Sequence, residues 1–243
     1  MTAFTVDLKG KTAIVTGAGA GVGRAIALAL GRSGAAIVVN DLNPDRVHQV
    51  TQELASQGGN TLGIQGDVCN RFQAATIIEK AREEFGAIHI LVNSAGVYKP
   101  GEMIGVDEWD WRRQIDVNLT GAFFCSQLLS RVMIDERIPG VIVNIAASSW
   151  NDTLPTGVGY IASKAGMIGM THQIARELAP AGIRVNAVCP GNIDGDGIIG
   201  DVQNMLCRSG KPDDVANVVL FLCSDAAQFI LGQAIHVDGG RLT

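Results

Sequence analysis

The sequence predicts a single doubly wound α/β domain, a seven-stranded parallel sheet flanked by helices on both faces. Three observations carry that prediction. Seven short apolar, β-branched runs alternate with longer helix-like segments along the 243 residues, and continuous apolar strands call for a sheet covered on both faces, because each crossover lays a helix on it. A glycine-rich turn joins the first strand to the first helix. The composition, 47% apolar and 18% charged, fits one large core. No Pro/Ser linker, internal repeat or long charge run marks a boundary, so residues 1–243 read as one domain.

The elements follow in order. Residues 12–16 (TAIVT) form the first strand and run into the glycine turn, after which 22–33 is helical, with Ala25 to Leu30 the most helix-like part. A second strand at 36–40 (AIVVN) precedes a helix at 44–57, and a third at 62–66 precedes a helix at 71–85. The fourth strand, 88–93, leads to a long helix at 107–136, and the fifth, 141–146, to a helix at 157–179. Strand 184–188, helix 212–224 and strand 234–237 complete the alternation. The least regular stretch, 192–210, contains Asp194, Gly195, Asp196, Gly197 and Gly200, and is expected to be a mobile surface loop.

Charge and cysteine usage exclude several function classes. Nineteen Lys plus Arg against 24 Asp plus Glu leave a net charge of −5, so no overall field gathers nucleic acid or an anionic membrane. The five cysteines, Cys69, Cys125, Cys189, Cys207 and Cys223, include no C-x-x-C pair, which argues against a disulfide framework or a zinc site. Residues 1–11 lack a basic segment followed by an apolar one, and no long uninterrupted apolar run occurs. A soluble, cytoplasmic protein is expected, with no membrane partner. His48, His89, His172 and His236 have no metal spacing and are expected at the surface or an interface.

The glycine surplus, 30 of 243 residues, implies that many backbone positions need positive φ or close approach by something else. In Thr16-Gly17-Ala18-Gly19-Ala20-Gly21-Val22-Gly23-Arg24 the glycines let backbone N–H groups approach a pyrophosphate at the positive end of the following helix, as in a Rossmann domain. A tight ligand-free turn is the plainer reading of this segment alone. Asp41, 18 residues past Gly23, supports the ligand: it stands where a carboxylate accepts hydrogen bonds from adenosine ribose hydroxyls. It would repel a 2′-phosphate and is followed by Leu42, which favours NAD(H) over NADP(H). Arg24 is either a phosphate partner or an ordinary exposed first-turn residue, and Asp67 either bonds an adenine amine or caps the helix that begins near Asn70.

Taken together, six motifs resemble the short-chain dehydrogenase/reductase family from Gly17 to Gly240. They are Thr16-Gly-x-x-x-Gly-x-Gly23, Asn93-Ser-Ala-Gly96, Asn118 in a long helix, Tyr160-x-x-x-Lys164, Pro190-Gly191 and Asp238-Gly-Gly240. The resemblance implies that Tyr160 is the general acid in carbonyl reduction, or the base in alcohol oxidation. Lys164 would hold the nicotinamide ribose and tune the phenol, and Asn118 would support a proton-relaying water. Tyr160 and Lys164 lie four apart on a predicted helix, and an ammonium near a phenol favours the phenolate.

The cofactor contacts implied by the resemblance begin with Gly17, Gly19, Gly21, Val22 and Gly23. Asp41, Asp67 and Val68 would surround the adenosine. Asn93, Ala95 and Gly96 would line the cofactor, and Pro190, Gly191 and Ile193 would flank the nicotinamide. The implied reaction is hydride transfer at the nicotinamide C4 between NAD and a small-molecule alcohol or ketone.

The sequence departs from the family in two places. The usual catalytic Ser lies three residues after an Asn and thirteen before the Tyr, and both counts land on Ala147. Three cases stand open: Ser148 takes the role, Ala147 marks an impaired enzyme, or the chain binds NAD as a scaffold or regulator without turnover. The Thr expected four residues after Gly191 is Gly195, with Asn192 and Asp194 nearby. The segment between Gly191 and Gly210 is short for the family's substrate lid. Trp150, Asn151 and Asp152 are further substrate-contact candidates. The resemblance also implies a homo-oligomer, a tetramer or dimer, through helices 107–136 and 157–179; Phe123, Leu128, Met167 and Met170 suit that interface or the core equally.

Overall fold

The computed structural model describes residues 6–150, 156–195 and 204–241. Its strands are β1 (Thr12–Thr16), β2 (Ala36–Asp41), β3 (Thr61–Gln65), β4 (Ile90–Asn93), β5 (Gly140–Ile145), β6 (Ile183–Pro190) and β7 (Ala234–Val237). Its helices are α1 (Gly21–Arg32), α2 (Pro44–Ser56), α3 (Arg71–Phe85), α4 (Glu108–Ile115), α5 (Gly121–Asp135), α6 (Val158–Leu178) and α7 (Pro212–Cys223). The strands form one sheet of order β3-β2-β1-β4-β5-β6-β7, and every neighbouring pair is parallel. The expected strands and helical segments are all present, their ends moved by a residue or two.

Successive strand residues feed opposite sides of the sheet, which is why the strands read as unbroken apolar runs. Val15, Ile37, Val39, Val92 and Val143 join one core cluster with Ile26 and Leu30 of α1 and Val219 and Leu222 of α7. Their neighbours Ile14, Val38, Leu91 and Ile142 join the other, with Ile77 and Ile78 of α3 and Leu129 and Met133 of α5. Each such aliphatic side chain contributes about 1.5–3 kcal/mol when fully buried. Met167 is fully buried and belongs to the core, whereas Phe123 of α5 is 39% exposed.

Strand order reverses between β1 and β4, where Thr16 is in register with Asn93. The glycine turn and residues 94–96 therefore leave adjacent strand ends, and the crevice between them is the place where open α/β sheets bind ligands.

Three expectations change. The single helix anticipated over 107–136 is interrupted by a π turn, Asp116–Thr120. Asn118, at its centre, is fully buried and bonded to Val97 and Ser163, and a π bulge is the local widening that lets such a side chain leave the helical repeat. The 192–210 loop is tied at its base: Ile193 bridges Gly210, and the Asp194 N–H donates to the Gly210 carbonyl at 2.9 Å. Asp196, Gly197 and Gly200 lie outside the described residues. His89 also departs from its expected surface place: it is half-buried, and its Nδ1 accepts the Thr12 N–H at 3.2 Å. Burial, with Lys11 nearby, holds its pKa below the ordinary value.

Candidate active site

The cleft over the β1–β4 crevice has a volume of about 460 Å³. Its floor is built by glycines that admit no side chain. Gly17 has φ +63°, and a Cβ there would lie 2.7 Å from the Ala95 Cα. Thr16 Oγ1 accepts the N–H groups of Ser94 and Ala95 at 3.1 and 3.2 Å, which holds the two turns together. A Cβ on Gly23 would stand 2.2 Å from the Gly17 carbonyl oxygen. No side chain caps the start of α1 and its first turn has no acidic residue, so its N–H groups face the cleft as an anion site. A dinucleotide pyrophosphate fits this cradle, because backbone alone forms the surface. Gly23→Ala is accordingly expected to abolish measurable NADH binding in a fluorescence titration, with circular dichroism near that of the wild type; full-affinity binding would contradict this account of the turn.

At the β2 end, Asp41 faces the cleft. Its carboxylate is oriented by two backbone donors, Gly19 N–H to Oδ2 and Asn43 N–H to Oδ1, each at 3.0 Å. Gly19 acts behind the wall: a Cβ there would lie 2.7 Å from Asp41 Oδ2. Arg24 does not line the pocket and pairs with Glu53 of α2 at 2.5 Å. The helix cap weighed for Asp67 belongs to Asn70, whose Oδ1 accepts the N–H groups of Phe72 and Gln73. Asp67 instead sits in a cluster with Cys69 and Arg113. Its Oδ1 accepts the Cys69 N–H and thiol, and its Oδ2 accepts Arg113 Nη1 at 3.2 Å. Burial raises the Asp67 pKa, but these donors outweigh it and hold the carboxyl below its usual value. The Cys69 thiol is pushed up to about 11 by burial and by Asp67, so it remains a donor. Val68 lines the cleft beside this cluster.

At the other end, α6 brings Tyr160 and Lys164 into the same cleft. Both are nearly buried, and Lys164 Nζ lies 5.7 Å from the Tyr160 ring centroid and donates to the Ile145 carbonyl at 2.6 Å. The latter bond fixes the ammonium at the end of β5. Asn118 does not reach the wall. It lies behind it, its Oδ1 accepting the Val97 N–H at 2.7 Å and its Nδ2 donating to the Val97 carbonyl and Ser163 Oγ, each at 2.9 Å. Ala147, Ser148 and Ser149 all face the cleft. In a continuing strand Ala147 and Ser148 would point to opposite sides. The 3-10 turn that begins at Ser148 ends that alternation.

Three residues expected at the cofactor do not line the cleft. Gly19 supports Asp41 from behind, and Ile193 is buried at the base of the 192–210 loop. Asn93 is buried below the cleft, its Nδ2 donating to Ser126 Oγ and Asn144 Oδ1 at 2.9 and 2.8 Å; Asn144 in turn donates to Thr171 Oγ1. This chain ties β4, β5, α5 and α6 beneath the site. Ala95, Gly96, Pro190, Gly191, Gly21 and Val22 face the cleft, and a Cβ on Gly191 would lie 2.7 Å from the Asp238 Cα. Asn151 and Asp152 lie outside the described residues, and the Trp150 side chain is likewise not described. Arg46, Tyr98 and Arg113 also face the cleft. The sequence does not single out Arg46 or Arg113, because Arg113 meets Asp67 across 46 residues, whereas Tyr98 lies in the 97–102 loop from which substrate specificity is expected.

Residues 17–241 match the family profile described as enoyl-(acyl carrier protein) reductase. The chain is 38% identical to a 3-oxoacyl-acyl-carrier-protein reductase of Staphylococcus epidermidis, over 95% of this chain and 98% of that one. It is 37% identical to a hydroxy(phenyl)methylsuccinyl-CoA dehydrogenase subunit of Thauera aromatica, over 97% and 98%. A crystal structure of a short-chain type dehydrogenase/reductase from Mycobacterium marinum aligns with a TM-score of 0.93 at 33% identity, covering 97% of each chain.

Proposed function

The chain belongs to the short-chain dehydrogenase/reductase family, and from that premise we propose that it is an NAD(H)-dependent oxidoreductase interconverting a secondary alcohol and a ketone. One observation carries the proposal: the phenol of Tyr160 and the ammonium of Lys164 open into the same cleft as the glycine cradle and Asp41. A bound nicotinamide supplies the hydride donor or acceptor. Tyr160 gives a proton to the carbonyl oxygen in reduction and takes it from the hydroxyl in oxidation. Lys164, held by the Ile145 carbonyl, keeps a positive charge beside the phenol and reaches the nicotinamide ribose. Asn118 holds the loop at Val97 and supports the proton path to Lys164. Ser148 donates to the substrate oxygen in place of the missing side chain at Ala147.

Asp41 supports NAD(H): its carboxylate is held at the adenosine end by two amides, and a 2′-phosphate there meets like charge. Arg46 on the same cleft favours the competing reading, NADP(H). Fluorescence titrations decide between them. NADH is expected to bind at least about tenfold more tightly than NADPH, and Asp41→Ala to narrow the gap; a wild-type preference for NADPH would reverse the assignment. Stopped-flow oxidation of bound NADH by a panel of ketones tests turnover. The names of the two curated relatives make thioester-borne ketones the first to include.

The methyl of Ala147 on the cleft wall favours a second reading, a cofactor-binding scaffold or regulator. Assembly into a homo-oligomer through α4, α5 and α6 is part of the proposal, supported by the exposure of Trp109, Phe123 and Ile134 on those helices. A cytoplasmic location is supported by five free thiols, three of them buried.

A further inference from the structure

Tyr98 stands two residues past Gly96 and faces the cleft together with Tyr160. The two rings meet edge to face, with centroids 5.3 Å apart and planes at 76°, an arrangement that aromatic pairs prefer. The segment that carries Tyr98 is clamped on both sides. Asn118 holds both the N–H and the carbonyl of Val97. Buried Gln114 accepts the Lys99 N–H at 3.1 Å, and the Gly101 carbonyl accepts the Gly157 N–H at 3.2 Å.

Gly157, the N-cap of α6, meets two separate demands. Its φ of +108° is a conformation that side-chain-bearing residues rarely adopt, and a Cβ there would come 2.7 Å from Tyr98 Cε2. The helix that carries Tyr160 thus begins on a glycine that leaves room for the Tyr98 ring. The Tyr98 hydroxyl is less tightly engaged, since its contacts with the Thr156 carbonyl and Oγ1 are 3.4 and 3.5 Å, at the limit of hydrogen bonding.

We propose that Tyr98 is a positioning residue for Tyr160: its ring, seated over Gly157, holds the Tyr160 ring in the orientation from which the phenol exchanges a proton with substrate. The inference rests on the acid/base role of Tyr160 proposed above. It deepens that reading by assigning the orientation of the phenol to a side chain from a different loop. Because the contact is between rings, Phe at position 98 preserves it and Leu does not.

The chain has two tyrosines, Tyr98 and Tyr160. Tyr98→Phe and Tyr98→Leu therefore each leave Tyr160 as the one tyrosine signal, and protein labelled with ring-carbon-13 tyrosine reports on that ring alone. NMR of the full chain is expected to show the same restrained Tyr160 ring, with ring-current-shifted and slowly exchanging signals, in the wild type and Tyr98→Phe. Tyr98→Leu is expected to lose the ring-current shift and to exchange faster. Gly157→Ala, which displaces Tyr98 without removing it, is expected to move the Tyr160 signals in the same direction as Tyr98→Leu and provides the readout if that variant folds poorly. In turnover with NADH and a ketone, kcat is expected to fall about tenfold to hundredfold in Tyr98→Leu and to stay near wild type in Tyr98→Phe, with NADH affinity unchanged in both. Unchanged Tyr160 signals in Tyr98→Leu would overturn the proposal, as would a Tyr98→Phe enzyme as slow as Tyr98→Leu. The NMR contrast requires no turnover, so a chain that shows it but reduces no ketone counts against the oxidoreductase reading and leaves the ring contact standing.

Discussion

Tyr160→Phe is expected to lower kcat by about 10²–10⁴-fold, the usual contribution of a positioned proton donor or acceptor, while NADH binds as in the wild type. The variant removes one oxygen and keeps the ring. The packing of Tyr160 against Tyr98 and the bond from Lys164 to the Ile145 carbonyl do not depend on that oxygen. The glycine cradle and Asp41 lie at the other end of the cleft. The loss should therefore appear in the chemical step, measured by single-turnover stopped flow, and not in the dissociation constant or the melting temperature. A variant that keeps wild-type turnover would remove Tyr160 from the proton path and take the proposed mechanism with it. A variant that loses NADH binding would instead indicate that the phenol holds the cofactor.

Ser148→Ala is expected to cost about 10²–10³ in kcat, because one hydrogen-bond donor to a developing oxyanion contributes about 2.7–4 kcal/mol of transition-state stabilisation. Ala147→Ser is expected to change little if Ser148 already supplies that donor. The structural basis is the 3-10 turn at the end of β5, which presents both residues to the cleft. Steady-state kinetics on both variants and the double variant separate the open cases. If Ala147→Ser instead raises kcat by about the same factor and Ser148→Ala is silent, the wild-type chain is an impaired enzyme or a cofactor-binding regulator. NADH affinity is expected to stay constant across the set, since neither position belongs to the glycine cradle.

The legible part of the site consists of residues whose constraint is local. Gly17 and Gly23 announce themselves because a side chain at either meets backbone within the same turn or its neighbour. Asp41 follows from its distance beyond the glycines, whereas Tyr160 and Lys164 follow from the family resemblance, with which their sharing one face of α6 agrees. The apolar runs predicted the sheet because residues one apart pack on opposite sides of it, and that period is written directly in the chain. The bond by which Asn93 ties β4 to Asn144 of β5 is not legible in the chain, since it joins residues 51 apart. The bonds of Asp67 to Arg113 and Cys69, in place of a helix cap, are not legible either. The π turn at Asn118 is likewise hidden, because the partner that Asn118 clamps, Val97, lies 21 residues away in sequence.

The sequence by itself determined the layered architecture and the glycine turn, which rest on backbone conformation or on a period of two or 3.6 residues, while the pair of residues proposed to move the proton comes from the family resemblance. Tertiary structure alone decided that Tyr98 meets Tyr160, that Arg113 meets Asp67, and that Ala147 and Ser148 share one wall. The physical reason is that Tyr98 and Tyr160, like Arg113 and Asp67, come from segments far apart in the chain, and strand order sets which segments come together at the crevice. Ala147 and Ser148 share a wall because the turn at Ser148 ends the strand alternation.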